Sequence, residues 1–438
     1  MPTSERTHRL VLLLFGGGII AFAIWGGMKA FTTRFSPIEV MPRSRVSFDP
    51  KAKTWESALF ASLTAFATGD VTTGAVGKIL PFGGLGGGQL LQGQVSPLAM
   101  LEEVSLGGAR ALDLARLKDG SALVLLYGIN GDGLGSYEIR SYQTDGSATT
   151  YAVWRAGGNE PVSLRISAAD DGAVWVGGSS GHIGRCERGG RPEWFMPSAT
   201  GLAGSVTSMA VDGAGRVWAT DGASLALGGR DAFAPFPFAS RLRAEDSAAL
   251  VAEALEMPEE TRPTPLEGAD GLLRALIAPR RLSVLSNGEM GLIAARTAFV
   301  FPLALQNSIR WTDVSAASVP LAFDGSGDVY ARSIVDGAFT RVWATGTTAY
   351  TSVPLPRDAR VNPDLFGSGP DGLFALDYVP TSTVLWTARG GTWTAQIVAA
   401  SGTAPGDEVV RVGSDGAGNI FAILRQGGLI RIRRGSSS

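Results

Sequence analysis

The spacing of apolar and polar positions changes three times along the chain. From Leu10 to Met28 the run LVLLLFGGGIIAFAIWGGM carries no charge, with Arg6 and Arg9 before it and Lys29 and Arg34 after it. At about 1.5 Å rise per residue, a helix of that length just crosses a hydrocarbon core of roughly 30 Å. A lone segment in lipid has to be helical to satisfy its own backbone. The run reads as a retained signal anchor, residues 1–30. The competing reading is a cleaved signal peptide cut after Ala21-Phe22-Ala23, which leaves Ile24 and Trp25 at an uncovered apolar terminus. Residues 31–52 hold Pro37, Pro42 and Pro50 among mixed charges and suit an extended spacer. From Thr54 to Ala67 the period becomes helical, with Trp55, Leu59, Leu63 and Phe66 at i, i+4, i+8 and i+11. That stripe predicts an amphipathic helix within a linker over 31–97. Trp55, Leu59, Leu63 and Phe66 are its candidate contacts with the membrane surface or a partner subunit, against the simpler reading of packing on the folded domain.

After residue 108 the pattern becomes short apolar strands broken by Asp-Gly turns. Five copies are plain, opening at Asp171-Gly172, Asp212-Gly213, Asp324-Gly325, Asp371-Gly372 and Asp415-Gly416; Asp119-Gly120 and Asn287-Gly288 are weaker. Counted from the turn Asp or Asn, the intervals are 52, 41, 75, 37, 47 and 44 residues. Asp and Asn bond the backbone just ahead of them and Gly supplies positive φ, so these acids read as hairpin caps rather than ligands or catalysts. The second unit divides into four strands, Val162 to Ser167, Ala173 to Gly177, Ile183 to Glu187 and Glu193 to Met196. A four-stranded antiparallel sheet every ~40 to 45 residues is the blade of a propeller. The pattern therefore predicts an all-β, seven-bladed β-propeller over 98–438, with the N-terminal transmembrane helix and a small helical insertion at about 241–278 in the long interval. The last unit is one strand short, and Leu98 to Leu106 is the natural strand to complete it and close the ring.

Composition narrows the function. A net charge of −2 offers no basic field for nucleic acid. The single cysteine, Cys186, excludes an internal disulfide and a cysteine-cluster metal site. Gly83 to Gly88 has no Lys-Ser or Lys-Thr to complete a phosphate loop and reads as a connector. Histidine chemistry is confined to His8 and His182.

The motif strings, such as Val206-Thr207-Ser208-Met209-Ala210-Val211-Asp212-Gly213-Ala214-Gly215-Arg216-Val217-Trp218, resemble bacterial NHL-type, two-component-regulator-type and virginiamycin B lyase-like propeller repeats over roughly residues 109 to 435. The resemblance implies a fold; propellers host many activities. Enzymes of these groups gather a metal near the axis with His and carboxylate ligands, and the lyase type depends on a His-Glu pair. No matching motif surrounds His182, although Glu187 is close in sequence. The sequence singles out no catalytic, cofactor-binding or metal-binding residue and no cofactor. The expected function is a membrane-anchored extracytoplasmic (periplasmic) propeller with protein partners, acting as a non-catalytic scaffold or accessory subunit of a membrane complex. The alternatives are a metal-dependent hydrolase or lyase, which needs carboxylates converging on the channel mouth, and a ligand-binding sensor. Nine residues before the span would oblige a sensor to signal through a partner helix.

Overall fold

Asp-Gly turns every forty or so residues oblige the chain to double back before a strand grows long, and the structure shows the result. In the computed structural model the described residues are 99–433, apart from short internal stretches of which 257–267 is the longest, together with four short strands before them. The chain divides into one unit over 1–96 and a second over 97–438.

In the first unit Phe48–Asp49 pairs antiparallel with Thr54–Trp55, and Val76–Ile79 with Leu91–Val95. Thr54 and Trp55 are thus extended, not the first turn of a helix, because their backbone groups are committed to a ladder with Asp49 and Phe48. Leu59, Leu63 and Phe66 lie outside the described residues, as does Leu10 to Met28. Among the described residues no helix is long and apolar enough to cross a membrane.

The second unit is a seven-bladed β-propeller. Its sheets span residues 110–155, 163–195, 208–235, 279–312, 318–352, 366–400 and 409–433. Each is an antiparallel meander whose first strand is innermost, and the inner strands neighbour one another around an axis, the last returning to the first. The seventh blade has three strands of its own, Val409–Ser414, Ile420–Leu424 and Leu429–Arg433. Ala99–Val104 completes it, pairing antiparallel with Leu429–Arg433 so that Leu101 faces Ile432. The same strand runs parallel to the outer strand of blade six, with Val398 opposite Ala99. Closing the disc with the chain's early strand removes the long free edge that a seventh incomplete sheet would expose.

Aromatics on four of the second strands bind neighbouring blades. Trp175 meets Phe233 of the next blade edge-on at 5.6 Å, Trp218 stacks on Phe301 at 4.9 Å, Tyr330 meets Trp393 at 5.4 Å and Phe421 meets Tyr142 at 5.7 Å. Such pairs contribute about 0.5–1.5 kcal/mol beyond area burial.

Six of the seven turn residues accept a bond from the backbone N–H two residues on, at 2.8–3.0 Å: Asp119, Asp171, Asp212, Asn287, Asp324 and Asp415. Asp371 lies outside the described residues.

The 75-residue interval holds helices Phe238–Arg241, Ala244–Glu256 and Gly268–Leu276. Phe238, Leu250, Ala254, Leu272 and Leu276 are buried in one cluster with Trp218, Leu282 and Phe299 of blades three and four.

Candidate functional site

In five of the seven inner strands the pairing skips one residue at the same place. The shifts fall between Ala111 and Asp113, Ser163 and Arg165, Pro279 and Arg281, Pro320 and Ala322, and Val409 and Arg411. A bulge re-aims the residue that follows it. Four of those five residues are charged, and each reaches another blade. Arg411 of blade seven ion-pairs with Asp113 of blade one, whose other carboxylate oxygen accepts the Ile166 N–H of blade two at 2.8 Å. Arg165 Nε donates to the Thr207 carbonyl at 2.7 Å, and Arg281 Nη2 to the Phe366 carbonyl at 2.6 Å, passing the small Ala322 of the blade between. Blade three keeps regular pairing and places Ser208 there, accepting the Leu282 N–H at 3.0 Å.

Among the described residues the axis is therefore lined by three guanidiniums with Asp113, and with Asp364 from the short 3-10 turn Pro363–Leu365. Asp113 is fully buried and already held by Arg411. Burial, then the charge of Arg411, brings the Arg281 guanidinium down to about 10, with Asp364 opposing; burial likewise lowers Arg165, with Asp113 opposing. Arg281 Nη1 is buried without a hydrogen-bond partner. Beside Arg281 lies a cavity of about 50 Å³ whose walls include Ser283, Asp324, Phe366, Gly367 and Ser368, with Asp324 ion-paired to Arg341. Three positive groups facing two carboxylates, one of them already neutralised by an ion pair, are a poor donor set for a divalent cation. The carboxylates that a metal-dependent hydrolase or lyase would need at the channel are not gathered there among the described residues: the charged residues the inner strands bring together are mainly arginines.

His182 and Glu187 do not form a pair. His182 lies in the loop before Ile183–Cys186, its Nδ1 3.0 Å from the Ser179 carbonyl and its ring edge-on to Trp194. Glu187 follows the far end of that strand and pairs with Arg185.

The two faces of the disc differ. Each inner strand runs the same way, so the Asp-Gly turns emerge on one face; the loops joining second to third strands, and the connections between blades, emerge on the other. Among the described residues the exposed large apolar side chains gather on this connection face: Ile129, Leu134, Val162, Met196, Ile334 and Val335, with Leu255 on the insertion. Val335 is 81% exposed and Ile129 72%. The turn face has Val284 and Leu303, at 41% and 38%, and Val153, at 54%, lies on the outer strand of blade one. A groove of about 630 Å³ also opens on the connection face, between Glu103–Arg110 and Gln426–Gly428.

None of these residues stands out in sequence. Asp113, Arg165, Arg281 and Arg411 sit on ordinary half-apolar strands, and only the shared register shift, visible once strands are paired, marks them as equivalent.

No family model matches the chain, and no curated protein matches it. Solved structures do. A catalytically inactive virginiamycin B lyase from Staphylococcus aureus, solved with quinupristin, aligns with a TM-score of 0.51 and 13% identity, covering 76% of this chain and 99% of that one. A streptogramin B lyase aligns with a TM-score of 0.51 and 12% identity, covering 76% and 97%. At this identity the likeness shows the propeller fold alone. The extracellular domain of a hybrid two component system from B. thetaiotaomicron, at 11% identity and a TM-score of 0.43, covers 85% of this chain and 46% of that one; it is too distant to add to that conclusion.

Proposed function

We propose that this chain is a membrane-tethered, extracytoplasmic interaction module, a non-catalytic scaffold or accessory subunit of a membrane complex, which binds a protein partner through the connection face of its propeller. The observation that carries the reading is the one-sided distribution of exposed apolar side chains. Large apolar residues scattered singly are ordinary, but a rim of them on one face of a disc is what a partner surface requires. The uncharged run from Leu10 to Met28 supplies the tether, and the spacer after it lets the disc stand off the bilayer.

The test is purification of the full chain from its own membranes in mild detergent, with mass spectrometry of stoichiometric companions. It is repeated with Ile129→Asp and Val335→Asp on the connection face and with Val284→Asp on the turn face. The reading expects a companion that is lost with the first two variants and kept with the third. A companion indifferent to all three, or none at all, overturns it. Membrane attachment is tested separately: resistance to alkaline carbonate extraction should vanish when residues 10–28 are deleted.

A further inference from the structure

The axial cluster has a feature that packing alone leaves unexplained. Buried polar groups are ordinarily bonded, and a guanidinium with an unmade bond in a desolvated site carries the full penalty of that vacancy. Arg281 Nη1 is such a group. Around it stand two further guanidiniums, Arg165 and Arg411, close enough for the charge of Arg411 to weigh on both Arg281 and Arg165. Of the two carboxylates in the set, Asp113 is occupied by Arg411 and by the Ile166 N–H. The cavity beside Arg281 holds about 50 Å³; a single water needs roughly 10–15 Å³ on such a measure, so there is room for a group of several heavy atoms. Ser283 and Ser368 share its wall with Arg281, as does Asp324, whose carboxylate is ion-paired with Arg341. A guanidinium and two hydroxyls in the wall, with an excess of positive charge around them, favour one kind of occupant. A planar fork of N–H donors matches an oxyanion in geometry as well as in sign.

We infer that the axial cavity is a binding site for one small oxyanion group, of the size and chemistry of phosphate or a carboxylate, seated on Arg281 with Arg165 and Arg411 supplying the surrounding positive field. This inference does not depend on which face of the disc contacts a partner. Bound there, the anion would sit against the Arg281 guanidinium and offset the mutual repulsion of the three arginines.

The experiment uses the full chain in detergent and a low-salt zwitterionic buffer, because exposed-site electrostatics are screened by salt while a desolvated site is screened much less. Binding of inorganic phosphate, and in a parallel arm of acetate, is measured by titration calorimetry and by the shift in thermal midpoint. The expected result is a Kd of about 1 mM or tighter for at least one of them, with the midpoint raised at ten times that concentration. Phosphate alone points to a phosphate-type ligand, and acetate alone to a carboxylate end-group; either supports the site. Arg281→Met should weaken binding at least about tenfold, the loss expected of a charge-assisted bond. It should still melt cooperatively, since it replaces a desolvated charge by an apolar chain of similar length. Should Arg281→Met fail to fold, Arg281→Lys replaces it: one point charge without the fork should bind several-fold more weakly. Arg425→Gln, on the rim and paired with Glu408, should leave binding unchanged. No binding of either anion at about 10 mM, or binding that survives the loss of the Arg281 guanidinium, overturns the inference.

Discussion

The glycines of the Asp-Gly turns answer two different demands. In the short turns the glycine after the acid takes positive φ itself, as at Gly120 and Gly172, with φ of 91° and 84°. In the longer form Asp-Gly-x-Gly-x the second glycine does so, as at Gly215 and Gly418, and the first is kept for another reason. Gly416 N–H donates to the Gly120 carbonyl across the seam between blades seven and one, and a Cβ at 416 would lie 2.6 Å from Gly120 Cα. Gly213 makes the same approach to Gly288. The neighbour in each case is backbone, which cannot swing aside. Gly416→Ala should therefore cost about 1–3 kcal/mol, the range for overpacking. Gly229→Ala, where a Cβ meets nothing within 4 Å, should fall within about 0.5 kcal/mol of zero; paired denaturant titrations compare the two. The Asp caps were legible because an Asx bond spans two residues. The approach of Gly416 to Gly120 was not, since nothing local records a contact made across the closure. Cys186 allows a second prediction at this scale. Burial, helped by the charge of Glu187, pushes its thiol up to about 12, and burial pushes Tyr151, packed in the same cluster, up to about 12 as well. In the unfolded chain the two ionise near 9 and 10. Between those values and about 12 the unfolded state holds fewer protons than the folded one. Stability must then fall as pH rises, by up to about 1.4 kcal/mol per pH unit for each group. Thermal midpoints between pH 8.5 and 10.5 should show that fall, and Cys186→Ala should make it shallower.

At the scale of the element, alternation and turn residues located most of the strands to within a residue or two. The second blade is observed at Ser163–Ala168, Val174–Gly178, Ile183–Cys186 and Glu193–Phe195. What the pattern could not carry is the skipped residue inside five of the inner strands, because a bulge changes register without changing the average of apolar and polar positions. That one step puts Asp113 on the axis, where it joins blades seven, one and two. Asp113→Ala leaves Arg411 facing two other guanidiniums and the Ile166 N–H without its acceptor. The expected cost is about 3–5 kcal/mol, as for breaking one half of a buried ion pair. Arg411→Met together with Asp113→Leu should recover most of it, since removing both partners removes the stranded charge; urea midpoints of the single and double variants decide this. The Ala, Glu and Leu content of the insertion predicts helix, but composition gives no partner for an apolar face. Its burial against Trp218 and Phe299 makes it part of the core of blades three and four. Leu272→Ala, in the last of its helices, should cost about 2–5 kcal/mol, like any large-to-small change at a buried site.

For the whole molecule the decisive element is the strand Ala99–Val104, legible beforehand because the final repeat lacks a fourth strand and a ring tolerates no gap. Its hold on the disc is double. Leu101 is 3% exposed and faces Ile432 across the antiparallel ladder, and Glu102 carries ion pairs to Arg431 and Arg433. Its other edge runs parallel to the outer strand of blade six, a second attachment that no repeat count discloses. A ring closed this way is only as durable as its last seam, because the other blades are joined by continuous chain whereas this one is joined by pairing alone. Leu101→Ala and Leu376→Ala remove the same atoms from equally buried sites, and each should cost about 2–5 kcal/mol. They should differ in where the molecule opens. With Leu101→Ala, amide exchange should quicken together over 99–104 and 429–433 and along 392–400, a local opening well below the free energy of global unfolding. With Leu376→Ala, inside the second strand of blade six, the seam at 429–433 should exchange only with the whole. If both variants open alike, closure is no weaker than any other joint, and the early strand is one blade strand among many rather than the latch of the ring.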